Sequence, residues 1–131
     1  MKQQGKRKNK FTVLLAVSNA TKEQLLSTLD KDSYQVEYAD NYAQALESLL
    51  QHDFDIIIID PDIGELKGPD GIRVVKRMNP EKPIIVVSGE KTYETEVSIA
   101  KLGVYYRLGK PTDEQITKNL LDNLVAKMSR N

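Results

Sequence analysis

Residues 56–60 read Ile-Ile-Ile-Ile-Asp, an unbroken β-branched run that ends on a carboxylate. Thr12–Val17 and Ile84–Val87 have the same continuous apolar character. Strands buried on both faces, as in parallel sheets, lack the alternation that marks a half-exposed strand. The three runs are therefore predicted to be the central strands of a parallel sheet. Tyr34–Ala39 and Val104–Leu108 alternate better and are predicted to be less central strands.

Helical patterns separate the five predicted strands. Capping-box pairs, in which Gln follows a polar residue three positions later, predict helix starts at Thr21, Asn41 and Thr112. Two further helices are predicted over Gly71–Met78 and Thr92–Leu102. Apolar residues at helical spacing are expected to face the core. In the last two helices these are Val97, Ala100, Leu102, Ile116, Leu120, Leu124 and Met128.

The strict alternation of strand and helix through five units decides the fold class. It requires a parallel sheet with helices on both faces, and right-handed crossovers favour a doubly wound arrangement. We therefore predict an α/β fold, a (βα)5 doubly wound sheet. Ligands of such sheets bind beyond the carboxyl ends of the strands. The polar residues predicted at these ends are Ser18, Asp60, Ser88 and Lys110.

Composition excludes several classes of function. The 131 residues include no cysteine and one histidine, so neither a disulfide framework nor a Cys- or His-rich metal site is available. No Gly-x-Ser-x-Gly elbow or Walker A loop occurs. No apolar run approaches the ~20 residues of a membrane helix. A cytoplasmic protein without a membrane segment is expected.

The basic residues are unevenly distributed. Five of the 19 lie within residues 1–10, and the rest of the chain is net acidic. A basic arm can bind nucleic acid, but solvated, frayed termini are common. We predict a flexible tail over residues 1–10 and one domain over residues 11–131, and we do not expect the domain itself to bind nucleic acid.

Three strand ends carry a family resemblance. Ile57-Ile58-Ile59-Asp60, Val86-Val87-Ser88-Gly89-Glu90 and Gly109-Lys110-Pro111 resemble, in order and spacing, three signature sites of bacterial response-regulator receiver domains. The likeness covers about residues 11–127. It implies a flavodoxin-like sheet with strand order 2-1-3-4-5. It also implies a signalling role in a two-component phosphorelay rather than an enzyme.

The resemblance assigns a role to each of these residues. Asp60 corresponds to the phosphoacceptor, Ser88 and Lys110 to phosphoryl-contacting residues, and the Lys110–Pro111 bond to a cis peptide. These residue types suit phosphoryl transfer, because a carboxylate that attacks a phosphoryl donor brings two anions together and needs nearby positive charge. Lys110 supplies one such charge, and in the family Mg²⁺ supplies the other.

The chain departs from the family at the metal site. Val17 and Ser18 stand where the family has two adjacent metal-binding acids. Asp60 and, weakly, Asp62 are the remaining candidate ligands for the metal. We expect weak Mg²⁺ binding and slowed phosphorylation. Alternatively, Asp62 or Glu90 replaces the missing ligands and phosphorylation is intact.

Two other regions also differ from the family pattern. The loop between Asp60 and Asp70-Gly71 is longer than in the family and lacks its Met-Pro. The aromatic switch position, three residues before the lysine, holds Arg107, preceded by Tyr106. The switch therefore either survives through Tyr106 in a shifted register or is replaced by Arg107, which could reach an acidic group.

The resemblance implies a protein partner, either a sensor kinase or an output protein, or self-association. The face formed by the fourth helix, fifth strand and fifth helix makes such contacts in the family. A remote alternative is a flavin carrier with the same fold. Its phosphate loop would be Ser18-Asn19-Ala20-Thr21, which lacks the glycine that allows close backbone approach.

Overall fold

The computed structural model describes residues 10–64, 69–89 and 93–129. The strands are β1 (Phe11–Ala16), β2 (Tyr34–Ala39), β3 (Ile56–Ile59), β4 (Ile84–Ser88) and β5 (Tyr106–Gly109). The helices are α1 (Asn19–Leu26), α2 (Tyr42–Gln51), α3 (Pro69–Met78), α4 (Tyr93–Ala100) and α5 (Glu114–Ser129). Except for Lys10, the predicted tail lies outside the described residues. Within the described ranges, no helix is long and apolar enough to cross a membrane.

The five strands form one parallel sheet in the order β2-β1-β3-β4-β5. This order confirms the predicted doubly wound topology. Near the ends of the strands, Ala16 pairs with Ile59 and Ser88 pairs with Gly109. The residues that follow these positions are therefore brought to the same side of the sheet, which we call the carboxyl edge.

Helices cover both faces of the sheet and create two hydrophobic cores. Successive residues of a strand point to opposite faces. Ile57 and Ile59 pack in the core beneath α2, α3 and α4, and Ile56 and Ile58 pack in the core beneath α1 and α5. All four are at most 1% exposed. Burial on both faces explains the continuous apolar run and fixes the strand that precedes Asp60.

Of the first two predicted helix starts, one is wrong and one is confirmed. The prediction of Thr21 as a cap is wrong, because α1 begins at Asn19 and Ser18 is its N-cap, accepting from the Thr21 N–H at 3.4 Å. Ser18 and Thr21 are both acceptable caps, and the sequence alone does not rank them. The prediction of Asn41 is confirmed, since the Gln44 N–H donates to Asn41 Oδ1 at 2.9 Å.

The start of α5 also differs from the prediction. The helix begins at Glu114, and the Ile116 N–H donates to Asp113 Oδ1 at 2.9 Å. Thr112, the predicted cap, instead donates from its amide and hydroxyl to Gln24 Oε1 on α1. Ile116 is half exposed rather than part of the inner stripe. The buried residues of α5 are Thr117, Leu120, Leu121 and Leu124.

Helix α4 ends before the predicted end at Leu102. The helix stops at Ala100, and the chain turns through Gly103, whose φ of +76° favours glycine. Ile99 is buried, whereas Ala100, predicted to face inward, is exposed. Leu102 packs on the core from the turn. With few apolar residues, this segment does not define one inner face in the sequence.

Candidate functional site

The carboxyl edge gathers the predicted site residues around Asp60. Asp60 directly follows β3, Ser88 ends β4, and Lys110 directly follows β5. Val17 and Ser18 follow β1. Because β1 and β4 are the neighbours of β3, Asp60 lies between the ends of those two strands.

Asp60 is buried with both carboxylate oxygens in polar contacts. It is 1% exposed, and Lys110 Nζ lies 2.7 Å from its Oδ2. The Asp62 N–H donates to its Oδ1 at 2.8 Å, and the Asp60 N–H donates to the Ala16 carbonyl at 2.9 Å. A buried charge is tolerated when it is paired and hydrogen-bonded. One oxygen thus faces a cation and the other faces a backbone amide.

Lys110 is the more solvent-exposed member of its ion pair with Asp60. Its side chain is 30% exposed, whereas that of Asp60 is 2% exposed. The Lys110–Pro111 peptide is cis, the isomer that the resemblance implies. Gly89 lies beside the lysine, since a Cβ there would be 3.6 Å from Lys110 Cβ and Cε. The ammonium is therefore placed to meet an anion that approaches Asp60 from solvent.

Ser88 and Arg107 connect the end of β4 to α4. Ser88 is fully buried, and its carbonyl accepts from Arg107 Nη1 at 3.5 Å. Arg107 Nη2 also lies 2.6 Å from Glu96 Oε2 on α4. The arginine at the family's aromatic position thus has an acidic partner within its own chain. The sequence raised the possibility of an acidic partner but could not identify Glu96.

The tyrosines before Arg107 have different surroundings. Tyr106 is 45% exposed on β5. Tyr105 packs against the core beneath α1 and α5, and Lys127 Nζ lies 5.6 Å from its ring centroid. Of the two predicted switch residues, Arg107 contacts the site and Tyr106 faces outward.

The side chains present do not fit a two-acid magnesium site. Val17 is completely buried in the hydrophobic core. Ser18 Oγ is used as the α1 cap and also contacts Thr21 Oγ1 at 3.2 Å. Among the described residues, no group of three or more acids and histidines is arranged to hold a metal. Asp62 is exposed, and Glu90, the other suggested ligand, lies outside the described residues.

Tyr42 is a site neighbour that the sequence did not indicate. It begins α2, is 5% exposed, and donates from its hydroxyl to the Pro61 carbonyl at 3.3 Å. Burial raises the pKa of the Tyr42 phenol, and the nearby charges of Asp60 and Asp62 raise it further. The phenol therefore keeps its proton and acts as a hydrogen-bond donor. The contact arises between distant segments, so no local spacing reveals it.

Fold and site together define a class of protein. A buried aspartate on the central strand of this five-stranded parallel sheet, paired with a lysine after the last strand, is the arrangement of a receiver-type signalling domain. The chain belongs to the response regulator receiver domain family, whose model matches residues 18–122. The matched range begins at Ser18, the second of the two positions where the acidic pair is missing.

The relatives and solved structures agree with this assignment. The chain is 30% identical over 97 residues to the transcriptional regulatory protein ZraR of Escherichia coli K12, covering 74% of this chain and 20% of that relative. It is 31% identical over 80 residues to ZraR of Klebsiella oxytoca, covering 61% of this chain and 18% of that relative. The chain thus spans about a fifth of the length of these relatives.

Two solved structures share the fold over almost the whole chain. A CheY-like response regulator receiver domain protein from Methanospirillum hungatei has a TM-score of 0.78 at 17% identity, covering 93% of this chain and 98% of that one. A two-component response regulator from Clostridium difficile has a TM-score of 0.82 at 14% identity, covering 91% and 98%. At these identities the likeness establishes the fold.

Proposed function

We propose that this receiver domain accepts a phosphoryl group on Asp60, slowly because its metal site is weakened, and signals through contacts with another protein. The observation that carries the proposal is the buried Asp60 carboxylate at the carboxyl edge, 2.7 Å from Lys110 Nζ. We infer that the domain acts as a cytoplasmic signalling module and has no enzymatic activity of its own.

The proposed step is phosphoryl transfer to a carboxylate. An oxygen of Asp60 bonds to phosphorus, and the bond from phosphorus to the donor's leaving group breaks, its electron pair going to that group (acetate when the donor is acetyl phosphate). Lys110 offsets the negative charge of the approaching phosphoryl group. Ser88 is proposed to donate its hydroxyl to a phosphoryl oxygen, which its position at the end of the neighbouring strand β4 supports.

We infer weak magnesium binding from the side chains after β1. When bound, Mg²⁺ would add positive charge beside the acceptor. It prefers carboxylate and water ligands, but a buried valine and a capping serine occupy the positions of the acidic pair. Charge stabilisation by a metal contributes several kcal/mol, and each ~1.4 kcal/mol is tenfold in rate. We therefore expect phosphorylation on the order of 100- to 1,000-fold slower than with a complete metal site.

The face formed by α4, β5 and α5 is our proposed output surface. Tyr106 and Ile116 on this face are 45% and 50% exposed. A groove runs between β5 and α5, lined by Tyr105, Tyr106, Leu120, Asn123, Ala126 and Lys127. Exposed aromatic and apolar side chains are typical of protein contacts. A sensor kinase, an output protein or a second copy of the chain would bind there.

Acetyl phosphate with and without Mg²⁺ tests the acceptor, with intact-mass spectrometry as the readout. The unsubstituted protein should gain one phosphoryl group slowly, and Asp60→Asn should gain none. Asp62→Asn is the matched control, since it removes an exposed carboxylate two residues away and should still be labelled. Labelling of Asp60→Asn at the same rate would disprove the assignment.

The same experiment tests whether Asp62 replaces the missing metal ligands. If Asp62 replaces the missing ligands, Asp62→Asn should abolish the magnesium dependence of labelling. Rapid and complete labelling of the unsubstituted protein at submillimolar Mg²⁺ would contradict a weakened site.

A further inference from the structure

One peptide unit beside Asp60 is held at both of its polar atoms. The unit joins Pro61 to Asp62. Its carbonyl oxygen accepts from the Tyr42 hydroxyl at 3.3 Å, and its N–H donates to Asp60 Oδ1 at 2.8 Å. A continuous chain of hydrogen bonds therefore runs from the start of α2, through this peptide, to the acceptor carboxylate.

The surroundings of Tyr42 keep this chain in place. The ring belongs to the core beneath α2, α3 and α4, so its direction is set by packing. Gly71, in the first turn of α3, makes room for the ring tip, since a Cβ there would lie 2.1 Å from Tyr42 Cζ and 2.2 Å from its oxygen. Gly64 is also close to this residue, since a Cβ there would be 3.6 Å from the Tyr42 amide nitrogen.

The two hydrogen bonds of the peptide reinforce each other. A carbonyl that accepts a hydrogen bond polarises its amide, which makes the N–H of the same unit a stronger donor. The bond to Oδ1 then restrains rotation of the Asp60 carboxylate, while Lys110 binds Oδ2. Without the phenol, the carbonyl loses this donor and the peptide can rotate away from Asp60.

We propose that Tyr42 is a positioning residue for the phosphoacceptor, acting through the Pro61–Asp62 peptide to hold the Asp60 carboxylate in one orientation. This inference rests on the proposed phosphorylation of Asp60 for its functional meaning. The geometry itself can be tested on the unmodified protein.

Tyr42→Phe is the decisive variant, because it keeps the ring that Gly71 accommodates and removes only the hydroxyl. Tyr38→Phe is the matched control, since the Tyr38 hydroxyl also donates to a backbone carbonyl, that of Val17, at 2.9 Å. Amide hydrogen exchange by NMR should show the Asp62 amide exchanging roughly tenfold faster in Tyr42→Phe, as expected for loss of one hydrogen bond. It should be unchanged in Tyr38→Phe.

Labelling by acetyl phosphate provides the functional readout. Tyr42→Phe should be labelled severalfold more slowly than the unsubstituted protein, and Tyr38→Phe at an unchanged rate. Unchanged exchange at Asp62 in Tyr42→Phe would overturn the proposed positioning. Faster exchange with unchanged labelling would overturn its role in the reaction. Failure to label even the unsubstituted protein would count against the proposed function, while the exchange result would still decide the role of Tyr42.

Discussion

Asp60 and Lys110 form an ion pair whose partners differ in their access to solvent. The carboxylate is 2% exposed and the lysine side chain is 30% exposed. Removing one partner of a buried pair is destabilising when it leaves a buried charge behind. Loss of the lysine does this, whereas loss of the carboxylate leaves a cation that water can solvate.

We therefore predict that Lys110→Met destabilises the domain more than Asp60→Asn does. The first should lower the free energy of unfolding by about 2 kcal/mol, less than for a fully buried pair because Lys110 is partly exposed. The second should change it by less than about 1 kcal/mol. Urea unfolding at neutral pH measures both.

The control for this comparison is an exposed ion pair. Lys118 and Asp122 on α5 are 3.1 Å apart, with side chains 59% and 57% exposed. Lys118→Met should cost no more than about 0.5 kcal/mol. If Asp60→Asn proved more destabilising than Lys110→Met, the buried carboxylate would not depend on the lysine for compensation of its charge.

At the scale of elements, the Arg107–Glu96 pair joins β5 to α4. The two side chains are 23% and 36% exposed, so solvent only partly screens their contact. Arg107 also reaches the Ser88 carbonyl, so one side chain contacts the end of β4 as well as α4. We expect this ion pair to restrain α4 against the sheet.

The prediction is a double-mutant cycle with Arg107→Gln and Glu96→Gln. The coupling energy should be about 1 kcal/mol, at the upper end for ion pairs with exposed partners. Amides of α4 should exchange faster in either single variant. Arg73→Gln serves as the control, because Arg73 pairs with Asp70 within α3, and it should leave α4 unchanged. A coupling energy near zero would mean that the contact does not hold α4.

Element order could be read from the sequence, but contacts between elements could not. The run 56–59 predicts a doubly buried strand because burial on both faces needs an unbroken apolar stretch, and the structure confirms it. Helix starts are less well defined by the sequence, because Ser18 and Asp113 have neighbouring residues, Thr21 and Thr112, that are caps of similar quality. Glu96 and Tyr42 are brought to the site by packing of distant segments, which no spacing in the sequence encodes.

At the scale of the whole molecule, the site is built on the most buried part of the fold. Strand β3 is anchored between two cores, and its end carries Asp60. The Asp60 carboxylate contacts Lys110, which directly follows β5, and the Asp62 amide in the loop after β3, so neither of these contacts uses a side chain from the end of β1. The end of β1 contributes the Ala16 carbonyl, which accepts from the Asp60 N–H, and it is followed by Val17 in the core and by Ser18, the cap of α1. The fold is thus compatible with losing the acidic pair, and metal binding becomes separable from folding.

This separation predicts how magnesium affects thermal unfolding. A ligand stabilises the folded state by RT ln(1 + [L]/Kd), so a weakly binding domain should gain little from the ion. At 10 mM Mg²⁺ and constant ionic strength, we expect the Tm of the unsubstituted protein to rise by less than about 1 °C. The Tm of the Ser18→Asp variant should rise by about 3 °C, as for a Kd near 1 mM, because the substitution restores one carboxylate at this edge.

Ser18→Asn is the control that isolates charge from shape. Asp and Asn are both good N-caps, so each should preserve the start of α1, and only Asp adds an anion beside Asp60. Asn should therefore respond to magnesium like the unsubstituted protein. An equal rise in Tm for all three proteins would show that the natural sequence already binds the ion, through ligands other than the side chain at position 18. The slow phosphorylation proposed above would then have lost its physical reason, because the charge missing at β1 would be supplied from elsewhere.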